Sequence, residues 1–343
     1  MRPALKAGLL PVWRDRDTVQ IGIDPRRAVA LTGLGDAAGL LRLLDGSRDR
    51  AQVIAAASQQ GIPRPVTERI LTLLAAGGVL DDIQAVALRS LPADQRRALG
   101  AELAACALAR GHSDAGATAL VRRDAARVRI HGPGRIAAGL ADILVTSGVG
   151  RVTVADRPGP AAPRRRPARP RDARGRGADP ALPDLAILVG YAATAGSPQA
   201  AGQALDLPGR LMRAGVPHLA VRAEEAIGVV GPLVRPGQTA CLRCLDLTRA
   251  ALDPAWPLIL AQLAGRTPDP PACDAALAAA VAAQAAAQAL AHLDRGPGGS
   301  AGESALPAEN GTLELVLPGW QWRRRTWPRH PACGCGGPSD PAR

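Results

Sequence analysis

The chain has 343 residues, 47% of them apolar and 21% charged, which is enough for about two folded domains and unlike a disordered chain. It has no run of 18 strongly apolar residues and no signal peptide at its start, so we expect a cytoplasmic protein that does not cross a membrane. The net charge of +12 comes from arginine in a composition typical of a GC-rich genome, and the 2% of aromatic residues argues against stacking on single-stranded nucleic acid.

Residues 1–82 alternate short strands with three short helices. Asp49 and Gln52 have the spacing of a capping box, which marks the start of the second helix. Hydrophobic periodicity predicts strands between 13 and 31 and at 79–80, and helices over 34–44, 50–60 and 66–74. This order predicts a small winged-helix-like module.

The module resembles the PqqD-like RiPP recognition element in the stretches LLDGSRDRAQVIAAASQQGI and TERILTLLAAGGVLDD. The resemblance implies that it binds the leader of a precursor peptide as a strand added to a sheet edge beside a helix. The candidate peptide-binding residues are Thr18, Val19, Gln20, Ile21, Gly22 and Ile23 on the edge strand, and Val66, Ile70, Leu73 and Leu74 on the groove helix. A plain docking domain is the alternative. DNA binding is disfavoured because 11 basic and 9 acidic residues leave little excess charge.

Residues 83–126 are polar, Ala-rich and helical, and we interpret them as a connector. Cys106 and His112 belong to no metal-ligating or catalytic sequence motif, so we expect a packing or surface role for both.

The third part, residues 127–343, begins with a strand at 127–131, a Gly-Pro-Gly turn, a helix ending at Gly148 and a strand at 152–154. This order opens a Rossmann-like nucleotide site, in which glycines admit phosphate to a helix N-terminus and an acid binds ribose. The candidate nucleotide-binding residues are Gly132, Gly134 and Asp156. Holding the fold together is the alternative role for all three.

Residues 157–183 contain 8 Arg, 7 Pro and 3 Gly, so we expect a disordered or loosely packed loop. It is either simply solvated or able to hold an acidic partner or a phosphate. Further strands are predicted at 184–190, 216–221, 226–227 and 229–234. The expected fold class is therefore α/β, a Rossmann-like, mainly parallel sheet with helices on both faces.

Two close-spaced cysteine pairs follow, Cys241 with Cys244 and Cys333 with Cys335. Four thiolates suit a structural zinc ion with no open position, so we predict a C-terminal zinc knuckle that tethers residues 241–335. Unligated thiols are the alternative, and disulfides are disfavoured in a reducing cytosol. Cys273 stands alone before a helix, and we expect it to pack there rather than to act as a nucleophile.

The Gly turn, GPLVRPGQTACLRCLD, the Ala-rich helix to Leu293 and the final HPACGC resemble the ThiF/MoeB/HesA family. That resemblance implies an adenylyltransferase fold that uses ATP and magnesium and pairs as a homodimer. The family's Asn-Leu-x-Arg-Gln run is absent here, Lys6 is the single lysine, and Tyr191 follows the fourth strand where a carboxylate is expected. ATP binding should therefore be weak or lost.

A PqqD-like module followed by a ThiF-like domain resembles the leader-binding proteins of azole/azoline (TOMM) peptide pathways, which partner YcaO-type enzymes. We therefore expect a degenerate adenylyltransferase that acts as a leader-peptide-binding adaptor. An active ATP-dependent adenylyltransferase and a structural zinc protein without a peptide ligand are the alternatives.

Overall fold

The computed structural model describes residues 1–155, 182–190, 207–263, 272–296 and 305–335. The chain forms two compact units, Met1–Arg122 and Arg123–Arg343. The sequence predicted domain boundaries at residues 82 and 126. The structure has a single boundary between its two compact units, between Arg122 and Arg123. Each unit is described separately.

The first unit contains two small antiparallel sheets and a set of short helices. One sheet has three strands in the order β2-β3-β4, and the other pairs β1 with β5. The strands are β1 (Pro3–Leu5), β2 (Pro11–Trp13), β3 (Val19–Ile21), β4 (Val29–Leu31) and β5 (Leu80–Asp82). A 3-10 helix over Gly35–Leu43 precedes α1 (Arg50–Gln59) and α2 (Arg64–Ala76).

Sequence reasoning located the helices of this unit well. The Asp49 carboxylate accepts from the Gln52 amide at 2.9 Å while the Gln52 side chain accepts from the Asp49 amide, which confirms the capping box. Ile70 and Leu74 are buried in the core, but Val66 and Leu73, predicted on the same face, are exposed. The α2 face therefore divides into a buried half and an exposed half.

The prediction that residues 18–23 lie at a sheet edge is wrong. Val19–Ile21 forms the central strand β3, which pairs with β2 on one side and with β4 on the other. The extra strand β2, which the sequence analysis left out, covers the expected edge. Backbone groups already paired on both sides cannot accept a further strand.

The rest of the first unit is helical. Its helices are α3 (Val86–Ser90), α4 (Ala93–Ala98) and α5 (Gly100–Arg110), followed by α6 (Ala117–Ala125), which crosses the boundary between the units. Cys106 is buried in a small core and His112 is exposed, as expected for packing and surface residues. Lys6 is 2% exposed and its ammonium donates to Asp81 at 2.8 Å and to the Ala107 carbonyl at 3.1 Å. This buried ion pair ties β1 and β5 to the end of α5.

Within its described residues, the second unit is built on a seven-stranded sheet in the order β12-β11-β10-β9-β8-β6-β7. Strands β6 (Arg127–His131), β7 (Arg151–Val154), β8 (Leu185–Val189) and β9 (His218–Glu224) run parallel. Strands β10 (Ile227–Val234), β11 (Gly311–Val316) and β12 (Gln321–Thr326) extend the sheet with antiparallel pairing. The predicted strands at 226–227 and 229–234 are one strand, and the antiparallel extension was not predicted.

Helices cover both faces of this sheet, as predicted. They are α7 (Arg135–Thr146), α8 (Leu207–Arg213), α9 (Leu242–Leu252), α10 (Trp256–Leu263) and α11 (Ala275–Arg295). Helices α7 and α11 pack on one face with the main core, while Leu211 of α8 and Leu242 of α9 pack on the other. Among the described helices, α11 is long and apolar enough to span a membrane by composition, but half of its apolar window is buried within this unit.

Candidate functional site

The four predicted zinc ligands come together. The sulfurs of Cys241, Cys244, Cys333 and Cys335 all lie within 4.8 Å of one another. Cys241 Sγ is 3.5 Å from Cys333 Sγ, and Cys244 Sγ is 3.4 Å from Cys335 Sγ. A tetrahedral ion with Zn–S bonds of about 2.3 Å would place its sulfurs about 3.8 Å apart. The two closest pairs lie about 0.3–0.4 Å from this value, and the most distant sulfurs would approach each other by up to about 1 Å to bind one tetrahedral ion.

Local structure brings the two pairs together. Cys241 occupies the N-cap of α9, so Cys244 lies one turn further along the same helix. A short 3-10 helix over Pro331–Cys333 ends at Gly334, whose φ of +69° turns the chain so that Cys335 also faces the cluster. This positive φ explains why a glycine separates the second pair.

The four thiols share one proton-exchanging cluster. The thiol of Cys241 donates to Cys244 and lowers the pKa of Cys244, whereas burial raises the pKa of Cys333. Trp327 is 1% exposed and belongs to the same apolar cluster as three of the cysteines. A buried group of thiols with one favoured thiolate is an environment in which a divalent ion can replace protons.

Two supporting residues were missed by sequence reasoning. Asn310 has a φ of +50°, and its side-chain oxygen accepts from the amide of Ala240 at 2.7 Å, next to the first ligand. Trp327 donates from its indole nitrogen to Thr312 at 2.9 Å and from its backbone amide to Asn310 at 2.8 Å. The sequence did carry one signal, since Asn310 is the single asparagine of the chain.

The Gly-rich turn lies at the carboxyl end of β6. Gly132 and Gly134 have φ values of +113° and +93°, and Gly134 is the N-cap of α7. A Cβ on Gly132 would lie 2.1 Å from the Val189 carbonyl oxygen, whereas one on Gly134 would meet no atom within 4 Å. Gly132 is therefore required for close packing of β6 against β8 whether or not a phosphate binds here.

Several predicted features lie outside the described residues. They are Asp156, most of the Arg/Pro-rich segment 157–183, and the positions 191–193 after the fourth predicted strand. Cys273 is described, and it packs partly buried against the main core immediately before the N-cap of α11. Burial raises the pKa of its thiol, so the packing role is confirmed rather than that of an activated nucleophile.

The first unit has an open strand edge and, on the helix that meets this strand at Gly77, an exposed stripe of side chains. In the described part of the chain, β4 pairs with β3 on one side and has no strand on the other. Val66, Arg69 and Leu73 line the exposed side of α2, with Val66 and Leu73 being 39% and 46% exposed. The stripe leads to Gly77, where an added Cβ would lie 2.8 Å from Val29 of β4. We call this strand edge and stripe the β4–α2 groove.

A cavity opens where α2 and the turn before β4 approach each other. It has a volume of about 450 Å³, and its lining includes Arg26, Arg27, Gly77 and Leu108. Arg26 pairs with Asp24 at 2.7 Å, and Arg27 donates to the Leu108 carbonyl. The arginines of this cavity therefore already have partners.

Comparison with known proteins shows the fold. The chain resembles the heterocyclase TruD with a TM-score of 0.65 and 16% identity, matching 98% of this chain and 43% of TruD. It resembles E. coli MccB, solved with AMPCPP and MccA, with a TM-score of 0.64 and 14% identity over 98% of this chain and all of MccB. A heterocyclase solved with substrate and cofactor gives 0.63 and 15% over 95% of this chain and 38% of that one.

These likenesses show that the chain shares its fold with TruD and MccB, and this chain spans less than half the length of the two heterocyclases. No protein-family model matches the sequence, and no curated protein matches it.

Proposed function

We propose that this chain is a leader-peptide-binding adaptor with a degenerate adenylyltransferase fold, acting in azole or azoline modification of ribosomal peptides. The β4–α2 groove carries the proposal, because an unpaired strand edge offers backbone donors and acceptors while the neighbouring helix supplies side-chain contacts. Extended peptides bind such edges by adding a strand.

The structural likenesses support peptide modification as the setting. MccB has been solved with MccA and with N-formylated MccA, and TruD is named as a heterocyclase. This chain matches less than half of the length of TruD, and we propose that it acts together with a partner enzyme. A YcaO-like protein is the partner that we propose for this role.

The scarcity and burial of lysine favour an adaptor role over that of an active adenylyltransferase. Lys6 is the single lysine, and it is buried in an ion pair with Asp81, so it cannot reach a nucleotide without unfolding its surroundings. The structure of MccB with ATP and the Gly132–Gly134 turn favour the alternative of an active enzyme. ATP–pyrophosphate exchange distinguishes the two, since an adenylyltransferase that forms an acyl-adenylate catalyses this exchange and an adaptor does not.

We further propose that zinc is the ion held by the four cysteines and that its role is structural. An all-thiolate set leaves no position for water, so the site would stabilise the second unit rather than perform catalysis. We also propose that the chain is a homodimer, as the family resemblance implies, which light scattering at micromolar concentration would test.

The experiment that tests the adaptor is titration of the full chain with a synthetic leader from a precursor gene next to its own, followed by fluorescence anisotropy. We expect binding that falls about tenfold or more in Leu73→Glu, because an apolar contact worth about 1.5–3 kcal/mol is replaced by a buried charge. Val86→Glu is the matched control, since Val86 is an exposed aliphatic residue of the same unit outside the groove. Equal losses in both variants would contradict the groove.

The other open edge of the same sheet provides an internal comparison. Strand β2 carries exposed Val12 and Trp13, but it begins with Pro11, which has no amide hydrogen to donate to an added strand. Loss of binding in Trp13→Ala with none in Leu73→Glu would move the peptide to β2. Absence of binding to every neighbouring leader would favour the structural zinc protein.

A further inference from the structure

A single unpaired charge stands within the apolar stripe of α2. Arg69 is exposed between Val66 and Leu73, and within the described residues it makes no hydrogen bond or ion pair. Arg64 on the same helix is different, because its guanidinium binds Glu68 at 2.9 Å. The stripe therefore offers a side-chain cation to whatever lies beside it.

The spacing of this stripe is close to that of alternate residues of an extended peptide. A helix rises about 1.5 Å per residue, which puts Arg69 about 4.5 Å from Val66 and about 6 Å from Leu73 along the axis. Side chains on one face of a strand repeat every two residues, or about 6.6 Å, so the stripe is about 3 Å shorter than three such side chains. The long side chain of Arg69 can span this difference, so a peptide aligned with α2 can meet Val66, Arg69 and Leu73 with three successive same-face side chains.

We propose that Arg69 selects an acidic residue in the bound peptide, so that the recognised segment has the pattern apolar, any, acidic, any, apolar. The inference rests on the proposed peptide-binding function and adds its sequence specificity. The pattern reads the same in both directions, so it holds whether the peptide runs parallel or antiparallel to β4.

Charge complementarity supports an acidic rather than a basic guest. The stripe contains no carboxylate, and the neighbouring Glu68 is already bound to Arg64. A carboxylate beside Arg69 gains a charge-assisted hydrogen bond, whereas a lysine or arginine there would be repelled.

The test is selection of a phage-displayed library of random 12-residue peptides on the full chain, on Arg69→Glu and on Arg64→Glu as the matched control. We expect wild type and the control to enrich Asp or Glu with aliphatic residues two positions away on each side. Arg69→Glu should enrich Lys or Arg at the central position instead. A peptide selected on wild type should bind Arg69→Ala about threefold to tenfold more weakly.

The outcomes separate this inference from the function on which it rests. Enriched peptides that lose binding in Leu73→Glu but show no acidic position, or the same acidic position with Arg69→Glu, would overturn the role of Arg69 and leave peptide binding intact. Failure to enrich any peptide that depends on Leu73 would overturn peptide binding at the groove and this inference with it.

Discussion

Replacing one ligand of the cysteine cluster should remove the metal and destabilise the second unit. We choose Cys333→Ser, with Cys273→Ser as the control, because Cys273 lies outside the cluster and contacts the core beside α11. Serine is close in size to cysteine, so the change removes a thiolate with little loss of packing volume.

The expected magnitude follows from ligand linkage. An ion present at about 1,000 times its dissociation constant stabilises the folded state by about 4 kcal/mol. A unit of this size loses about 2–4 °C in Tm for each kcal/mol, so loss of the ion should lower Tm by about 8–16 °C. A metal bound by the four cysteines would join the start of α9 to the chain near Cys335, so the destabilisation should be concentrated in that region.

The assay measures metal per chain by plasma emission together with thermal unfolding with and without a chelator. Wild type and Cys273→Ser should carry about one zinc per chain, and their Tm should fall when the chelator is added. Cys333→Ser should carry far less zinc, and the chelator should change its Tm little. A full complement of zinc in Cys333→Ser would refute the four-cysteine site. Unchanged Tm on complete removal of zinc from wild type would refute its structural role.

Three further predictions concern the fold. Gly132→Ala should cost several kcal/mol of unfolding free energy, because its Cβ would lie 2.1 Å from the Val189 carbonyl oxygen. Gly134→Ala should cost about 1–2 kcal/mol, because it meets no atom and is strained only by its positive φ. Chemical denaturation measures both changes, and equal costs would contradict the packing argument. Burial beside Arg235 and Arg295, only partly offset by Glu309, lowers the pKa of His292 to about 4, so the folded state favours the neutral imidazole. Up to about 3 kcal/mol of unfolding free energy should therefore be lost as pH falls from about 6.5 to 4. His292→Gln should flatten this dependence of stability on pH, and an unchanged dependence in the variant would exclude His292 as its source. Asp81→Ala should cost about 3–5 kcal/mol because Lys6 would remain buried without its counterion, and the Lys6→Met, Asp81→Leu double variant should recover much of the loss in the same denaturation assay.

Sequence patterns predicted the elements that depend on local chemistry. The Asp49–Gln52 capping box, the strand Arg127–His131 and the Ala-rich helix α11 all depend on contacts between residues close in the chain. The antiparallel strand β12 was not predicted, because Arg323, Arg324 and Arg325 give no alternation of apolar and polar residues. An edge strand exposed on both faces gives no hydrophobic period to detect.

The candidate sites likewise divide into features set by local residue spacing, which the sequence predicted, and features set by long-range strand pairing, which it did not. Cysteine spacing predicted all four members of the cluster, because metal ligation restricts residue type as well as distance. The position of the open sheet edge could not be predicted, since it depends on whether Pro11–Trp13 pairs with Val19–Ile21. Strand pairing is a long-range property, and a three-residue strand such as β2 carries too few residues to signal it.

The burial of Lys6 has a practical consequence for following the first unit in solution. Amine-directed reagents find no exposed lysine on this chain, because its single lysine is 2% exposed and bonded on several sides. Acylation of Lys6 therefore requires the segment that encloses it to open. The rate at which this one side chain becomes labelled reports local unfolding, and mass spectrometry of the peptide that contains Lys6 measures it without any introduced probe.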